Sequence, residues 1–117
     1  MRVSNNSLNR SLKQEVIRLL VQVIADLKTT KETESFLEDF FSEAELITFA
    51  KRLAISYWLK KNRSYKNIQT NLKISTATIA NTQASMEKEG FQLALRKIAA
   101  EEWANQWAER IKKIVGK

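Results

Sequence analysis

The chain contains no proline and only two glycines, Gly90 and Gly116, in 117 residues. These are the residues that interrupt a helix most sharply. Proline removes a backbone donor and clashes with the preceding turn, and glycine adds backbone entropy that the helix must lose. A chain nearly free of both, with apolar residues recurring at threes and fours, is predominantly helical. The expected fold is all-α, with about six helices in a single domain over 1–117, a length that suits one modest core.

Residues 1–7 are polar and read as a flexible arm. Ser7 or Asn9 starts a first helix in which Leu8, Leu12, Val16, Leu19, Val23 and Leu27 recur at helical spacing, with Ile17, Leu20 and Ile24 beside them. That face is too broad for a helix covered on one side only. A small chain has little of its own to cover it, which favours burial against a second subunit over an ordinary core. Thr30 is placed to cap a short second helix through Phe40, with Glu32 and Glu34 where the helix dipole favours acids. Ser42 and Glu45 form a capping box at the start of a third helix, from about Glu43 to Lys61. Leu46, Phe49, Leu53 and Tyr57 make one stripe on that helix, and Ile47, Ala54, Ile55 and Trp58 make a second. A helix apolar on two sides is expected to be central and covered on both. Gly90 reads as a left-handed C-cap. A last helix over 91–115 then carries Phe91, Leu95, Ile98, Trp103, Trp107, Ile111 and Ile114 as a core or interface face.

Between the third and last helices lies the stretch RSYKNIQTNLKISTATIANTQ, residues 63–83. Ser64 to Leu72 begins on a capping residue and places Tyr65, Ile68 and Leu72 on one face. After the break Lys73-Ile74-Ser75, a second short helix opens near Thr76, capped by Ser75 or Thr76. Its outward face is Thr76, Thr78, Asn81 and Thr82. Short helix, tight turn and short polar-faced helix is the pattern of a helix-turn-helix, here over 64–84, with a second helix sized for a DNA major groove. Lys73 stands in the turn where many such units have glycine, and a left-handed backbone there costs it roughly 1–2 kcal/mol.

Charge points the same way. No Asp or Glu occurs between Glu45 and Glu87, while Lys51, Arg52, Lys60, Lys61, Arg63, Lys66 and Lys73 fall in that run. A surface that approaches phosphates excludes carboxylates, and each neutralised phosphate releases counterions. The net charge of +7 suits a polyanion partner. With no His and no Cys, the chain lacks the commonest general base, nucleophile and metal ligands. It has no recognisable phosphate loop, so neither enzymatic activity nor a metal is expected. No apolar run reaches the roughly 20 residues of a membrane span, and the N-terminus has no signal core, so a cytoplasmic protein is expected.

The segment FFSEAELITFAKRLAISYWLKKNRSYKNIQTNLKISTATIANTQASMEKEG resembles the core of the Trp repressor-like family of helix-turn-helix proteins. The resemblance rests on Ser42 and Glu45, on Arg52, on the S-Y-x-x-I entry of Ser64, Tyr65 and Ile68, and above all on the S-T-A-T-I run from Ser75 to Ile79. It covers about Phe36 to Gly90 and implies an intertwined homodimer that binds palindromic double-stranded DNA through paired recognition helices. It also implies an effector pocket at Ser42, Arg52, Asn81 and Thr82. The founding member holds L-tryptophan between two arginines. Here Asn81 takes the place of the second arginine and Thr82 that of a glycine, so no tryptophan corepressor, and no other cofactor, is expected.

The function expected from the sequence is a sequence-preferring, repressor-like transcriptional regulator. As a dimer it places the helix 76–84 in the major groove. Thr76, Ala77, Thr78 and Asn81 would face bases, and Arg63, Ser64, Lys66, Lys73 and Ser75 would hold phosphates. The alternatives are an architectural or sequence-blind nucleic-acid binder and an all-helical adaptor for an acidic protein.

Overall fold

The computed structural model describes residues 8–115, whose order is α1 (Arg10–Asp26), α2 (Thr30–Phe40), α3 (Glu43–Lys60), α4 (Tyr65–Leu72), α5 (Thr76–Ser85) and α6 (Glu89–Val115). The protein is all-α, with six helices and no strand among the described residues. The polar arm 1–7 lies outside them, as do the side chains of Trp107 and Ile114. The chain forms two compact units, one through Leu46 and one from Ile47 onward.

The first unit holds α1, α2 and the opening turn of α3. Side chains start each helix by accepting backbone N–H groups that have no intrahelical partner. Asn9 Oδ1 accepts from the Leu12 N–H at 2.8 Å, and Thr29 Oγ1 accepts from the Glu32 N–H at 3.0 Å. The cap of α2 is therefore Thr29 and not Thr30, which is already helical. Glu32 supports the same junction by accepting from the Lys28 N–H at 2.9 Å. The capping box of α3 is complete: Ser42 Oγ accepts from the Glu45 N–H at 3.1 Å, and Glu45 Oε1 accepts from the Ser42 N–H at 2.9 Å. The Ser42 backbone N–H foremost, and the Ser42 hydroxyl after it, hold the Glu45 carboxyl below the usual range.

No residue of α1 is buried. Leu12, Val16, Ile17, Leu19, Leu20, Val21, Val23 and Ile24 are all exposed in the single chain. In α2, Phe36 stacks on Phe40 with ring centroids 4.6 Å apart, and Phe40 remains exposed.

The second unit contains the core. Ile55 of α3, Ile68 of α4 and Ile79 of α5 are fully buried against one another, surrounded by Trp58, Leu59, Tyr65, Leu72 and Ile74. One isoleucine from each of three helices fixes how α4 and α5 sit on α3. Of the two apolar stripes on α3, the one carrying Ile55 and Trp58 meets this core. Phe49 and Leu53, on the other, stay exposed within the chain. Leu46 and Tyr57 on that second stripe are half-buried, so within the single chain the helix is covered on one side and partly covered on the other.

Two backbone features shape the joints. Asn62 (φ 64°) ends the turn after α3, and Lys73 (φ 55°, ψ 58°) ends α4 in the left-handed region. Gly90, expected as a left-handed cap, has no positive φ and lies in the first turn of α6. The break falls earlier, at residues 86–88, where the Lys88 N–H donates to the Ser85 carbonyl at 3.0 Å.

The apolar residues of α6 lie on two sides of the helix rather than one. At about 100° per residue, Phe91, Leu95 and Ile98 share a sector with Glu102. Leu95 is buried there, and Glu102 Oε2 lies 3.2 Å from Lys61 Nζ of the α3 end. Leu93, Trp103 and Ile111 fall roughly on the opposite side, and all three are exposed.

Candidate nucleic-acid interface

The helix-turn-helix is assembled from local rules. Ser64 Oγ accepts from the Asn67 N–H at 3.1 Å and starts α4. Ser75 Oγ accepts from the Thr78 N–H at 3.1 Å, starts α5, and lies 3.0 Å from Thr78 Oγ1. Between them Lys73 turns the chain by going left-handed, its N–H donating to the Gln69 carbonyl at 2.9 Å. Across the angle between the helices, the Tyr65 hydroxyl donates to Gln83 Oε1. Sequence reasoning did not single out that bond, since a pair 18 residues apart carries no local signal.

The left-handed lysine yields a prediction. Lys73→Gly is expected to raise stability by about 1 kcal/mol, because glycine takes this backbone without the Cβ clash and returns part of the gain as unfolded-state entropy. Chemical denaturation measures it. A loss of stability would mean that the Lys73 side chain itself holds the turn.

The faces of α5 are clear. Ile79 and Thr82 point into the protein, and Thr76, Ala77, Thr78 and Asn81 are exposed. All four residues of the base-facing set expected from the sequence are exposed, as are Ala80, Gln83 and Ala84 of the same helix. Thr82, read as outward, is buried with only 6% of its surface accessible, because it lies one turn after Ile79 and shares its side.

Of the phosphate set, Ser64, Lys66, Lys73 and Ser75 are all exposed around α4 and the turn. Ser64 and Ser75 have their oxygens engaged in capping. Arg63 is pinned, its guanidinium 4.2 Å from the centre of the Trp58 ring and its Nη1 donating to Asn67 Oδ1 at 3.4 Å. A stacked guanidinium of this kind is pre-set in orientation and loses little entropy on meeting an anion.

Arg52, Asn81 and Thr82 of the expected pocket line one cavity of about 380 Å³ with Thr78, Ser85 and Lys88. The Arg52 guanidinium lies 5.4 Å from the Phe49 ring centre. Ser42 belongs to the other unit, where its hydroxyl serves the capping box. Lys88, just past the acid-free run, was not foreseen; its only mark in the sequence is its place next to the break after α5. Among the described residues, no group of His, Cys, Asp and Glu side chains could hold a metal ion, and no helix is long and apolar enough to cross a membrane.

Comparison with known proteins adds to this geometry. The family model described as Trp repressor protein matches residues 15–99. The uncharacterized protein YerC of Bacillus subtilis (strain 168) is 26% identical over 89 residues, covering 74% of this chain and 86% of that relative. The crystal structure of a TrpR like protein from Eubacterium eligens ATCC 27750 matches with a TM-score of 0.70 at 27% identity, covering 78% of this chain and 96% of the other. The family match ends at 99, so the second half of α6 lies beyond it.

Proposed function

The chain belongs to the Trp repressor family, and from that premise we propose that it is a dimeric, sequence-preferring regulator of transcription, repressor-like, that lays α5 in the DNA major groove. The observation that carries this reading is a short helix-turn-helix whose second helix is anchored by the buried Ile79 and exposes Thr76, Ala77, Thr78 and Asn81, in a stretch with no carboxylate.

Each residue type suits its part. Asn81 can pair with adenine, threonine hydroxyls can donate or accept, and the methyls of Ala77 and Thr78 can meet thymine methyls. Lys66, Lys73 and Arg63 supply charge for phosphates, with Ser64 and Ser75 beside them. The recognition helix contains no arginine. Direct readout is therefore modest, and DNA shape and bridging water carry part of the preference. Two recognition helices about 34–36 Å apart would read half-sites one helical turn apart. The exposed apolar face of α1 supports the dimer, since a monomer would leave it in water. L-tryptophan is not the corepressor in this reading, because Asn81 offers no guanidinium to sandwich an indole.

The test is fluorescence anisotropy with DNA from the protein's own promoter region and a scrambled control, over a salt series, with and without L-tryptophan. The expected result is promoter binding at least about a hundredfold tighter than control, unchanged by tryptophan. Asn81→Ala is expected to narrow that gap, while Lys66→Ala weakens all DNA alike and flattens the salt slope by roughly 1. Equal binding to both fragments with one steep salt slope would favour a sequence-blind binder, and no binding at moderate salt would favour an adaptor.

A further inference from the structure

At the end of α3 the chain leaves the helix through Asn62, whose left-handed backbone (φ 64°) folds the next residue back. The Arg63 N–H donates to the Trp58 carbonyl at 3.0 Å, which closes the helix end and sets Arg63 above the turn that carries Trp58. The side chain then takes two further contacts. Its guanidinium lies 4.2 Å from the centre of the Trp58 ring, and Nη1 donates to Asn67 Oδ1 at 3.4 Å. Both supports are themselves fixed. Trp58 is half-buried and packs on the Ile55, Ile68 and Ile79 cluster. The Asn67 backbone N–H donates to Ser64 Oγ at 3.1 Å. A surface charge is thereby tied to the core through one indole.

The other cations nearby are held differently. Lys61 Nζ pairs with Glu102 at 3.2 Å. Lys66 and Lys73 are exposed, and lysine carries its charge on a flexible stem. Arg63 has no salt bridge among the described residues, so its charge is uncompensated while its orientation is fixed. With one edge on Asn67 and one face on the ring, the remaining guanidinium N–H groups form a planar fork that matches two oxygens of one phosphate. Holding the side chain beforehand removes an ordering cost that a long flexible cation meets on binding.

We propose that Trp58 is a positioning residue for DNA binding. It keeps the Arg63 guanidinium flat and aimed, so that Arg63 grips one backbone phosphate as a fork rather than as a point charge. This role rests on the DNA-binding reading above, and it adds a requirement that charge alone does not make. Lysine in this place keeps the positive charge but has no planar group to lie on the ring, so it does not replace arginine.

Fluorescence anisotropy with the promoter fragment and its scrambled control, over a salt series, compares the parent with Arg63→Lys, Trp58→Leu, Trp58→Phe and the Arg63→Lys/Trp58→Leu double variant. Arg63→Lys and Trp58→Leu are each expected to weaken binding to both fragments by about fivefold. Neither should change the salt slope, since no charge is lost. The double variant is expected to be no weaker than either single one, because both remove the same grip. Trp58→Phe keeps a ring face and is expected to retain most of the affinity. Thermal melting followed by circular dichroism sets a temperature at which every variant is folded, and Arg63→Lys, at an exposed residue, leaves the core untouched. Losses from the two single variants that multiply in the double one would overturn the proposal, because they mark a purely structural tryptophan. A parent that binds neither fragment removes the DNA-binding reading and this role with it. A parent that binds DNA and tolerates Arg63→Lys within about twofold overturns this role alone.

Discussion

Leu19→Glu is expected to break the proposed dimer, weakening its association by more than about a hundredfold. Leu19 is the most exposed of the apolar residues on α1, with 66% of its surface accessible in the single chain. For a monomer, a glutamate at such a place would be nearly silent, within about 0.5 kcal/mol. In the proposed dimer the same position faces the other subunit. A buried, unpaired carboxylate there costs several kcal/mol, and two-fold symmetry introduces it twice. Each 1.4 kcal/mol is about tenfold in the association constant, so a hundredfold is a cautious figure. Sedimentation across a concentration series measures it. A variant that sediments and melts like the parent would remove the reason for assigning α1 to an interface.

Ile68→Ala carries the largest effect within one chain, a loss of about 2–5 kcal/mol. Ile68 is fully buried between Ile55 and Ile79, and these three are the whole of the fully buried apolar cluster among the described residues. Total stabilities of small domains are about 5–15 kcal/mol, so this one truncation removes a large share. It strikes the joint that orients α5 on α3. The near-ultraviolet dichroism of Trp58, which packs on the cluster, should fade together with stability. A cost below about 1 kcal/mol would mean that the neighbours collapse into the space, and that the orientation of α5 rests on something other than this contact.

Local rules made much of this architecture legible beforehand. The Ser42–Glu45 box and the Ser64 cap each depend on residues within four positions of one another, and each stands where the sequence places it; of the two caps open for α5 the structure uses Ser75, and Lys73 does take the left-handed backbone. The stripe Tyr65, Ile68 and Leu72 likewise faces the core. Misreadings arose where more than one residue could satisfy a rule. Thr29 and Thr30 are both threonines, and only the geometry of the first turn selects the earlier one. Gly90 looked like a helix end, yet the 86–88 break ends α5 without it. Thr82 was placed by polarity, whereas helical phase turns it inward beside Ile79. The part Lys88 plays at the cavity could not be read at all, because it depends on how the turn after α5 folds back toward Arg52.

The backbone of α4 is bracketed by two left-handed residues, and neither is glycine. At Asn62 the choice is easily understood, since asparagine tolerates that conformation better than most side chains. At Lys73 it is not, because a simple replacement would relax the turn. In the DNA-binding reading, lysine at this place sets a charge beside the recognition helix at the cost of a looser turn. Position 73 is thus where an engineer seeking a hardier scaffold should look first.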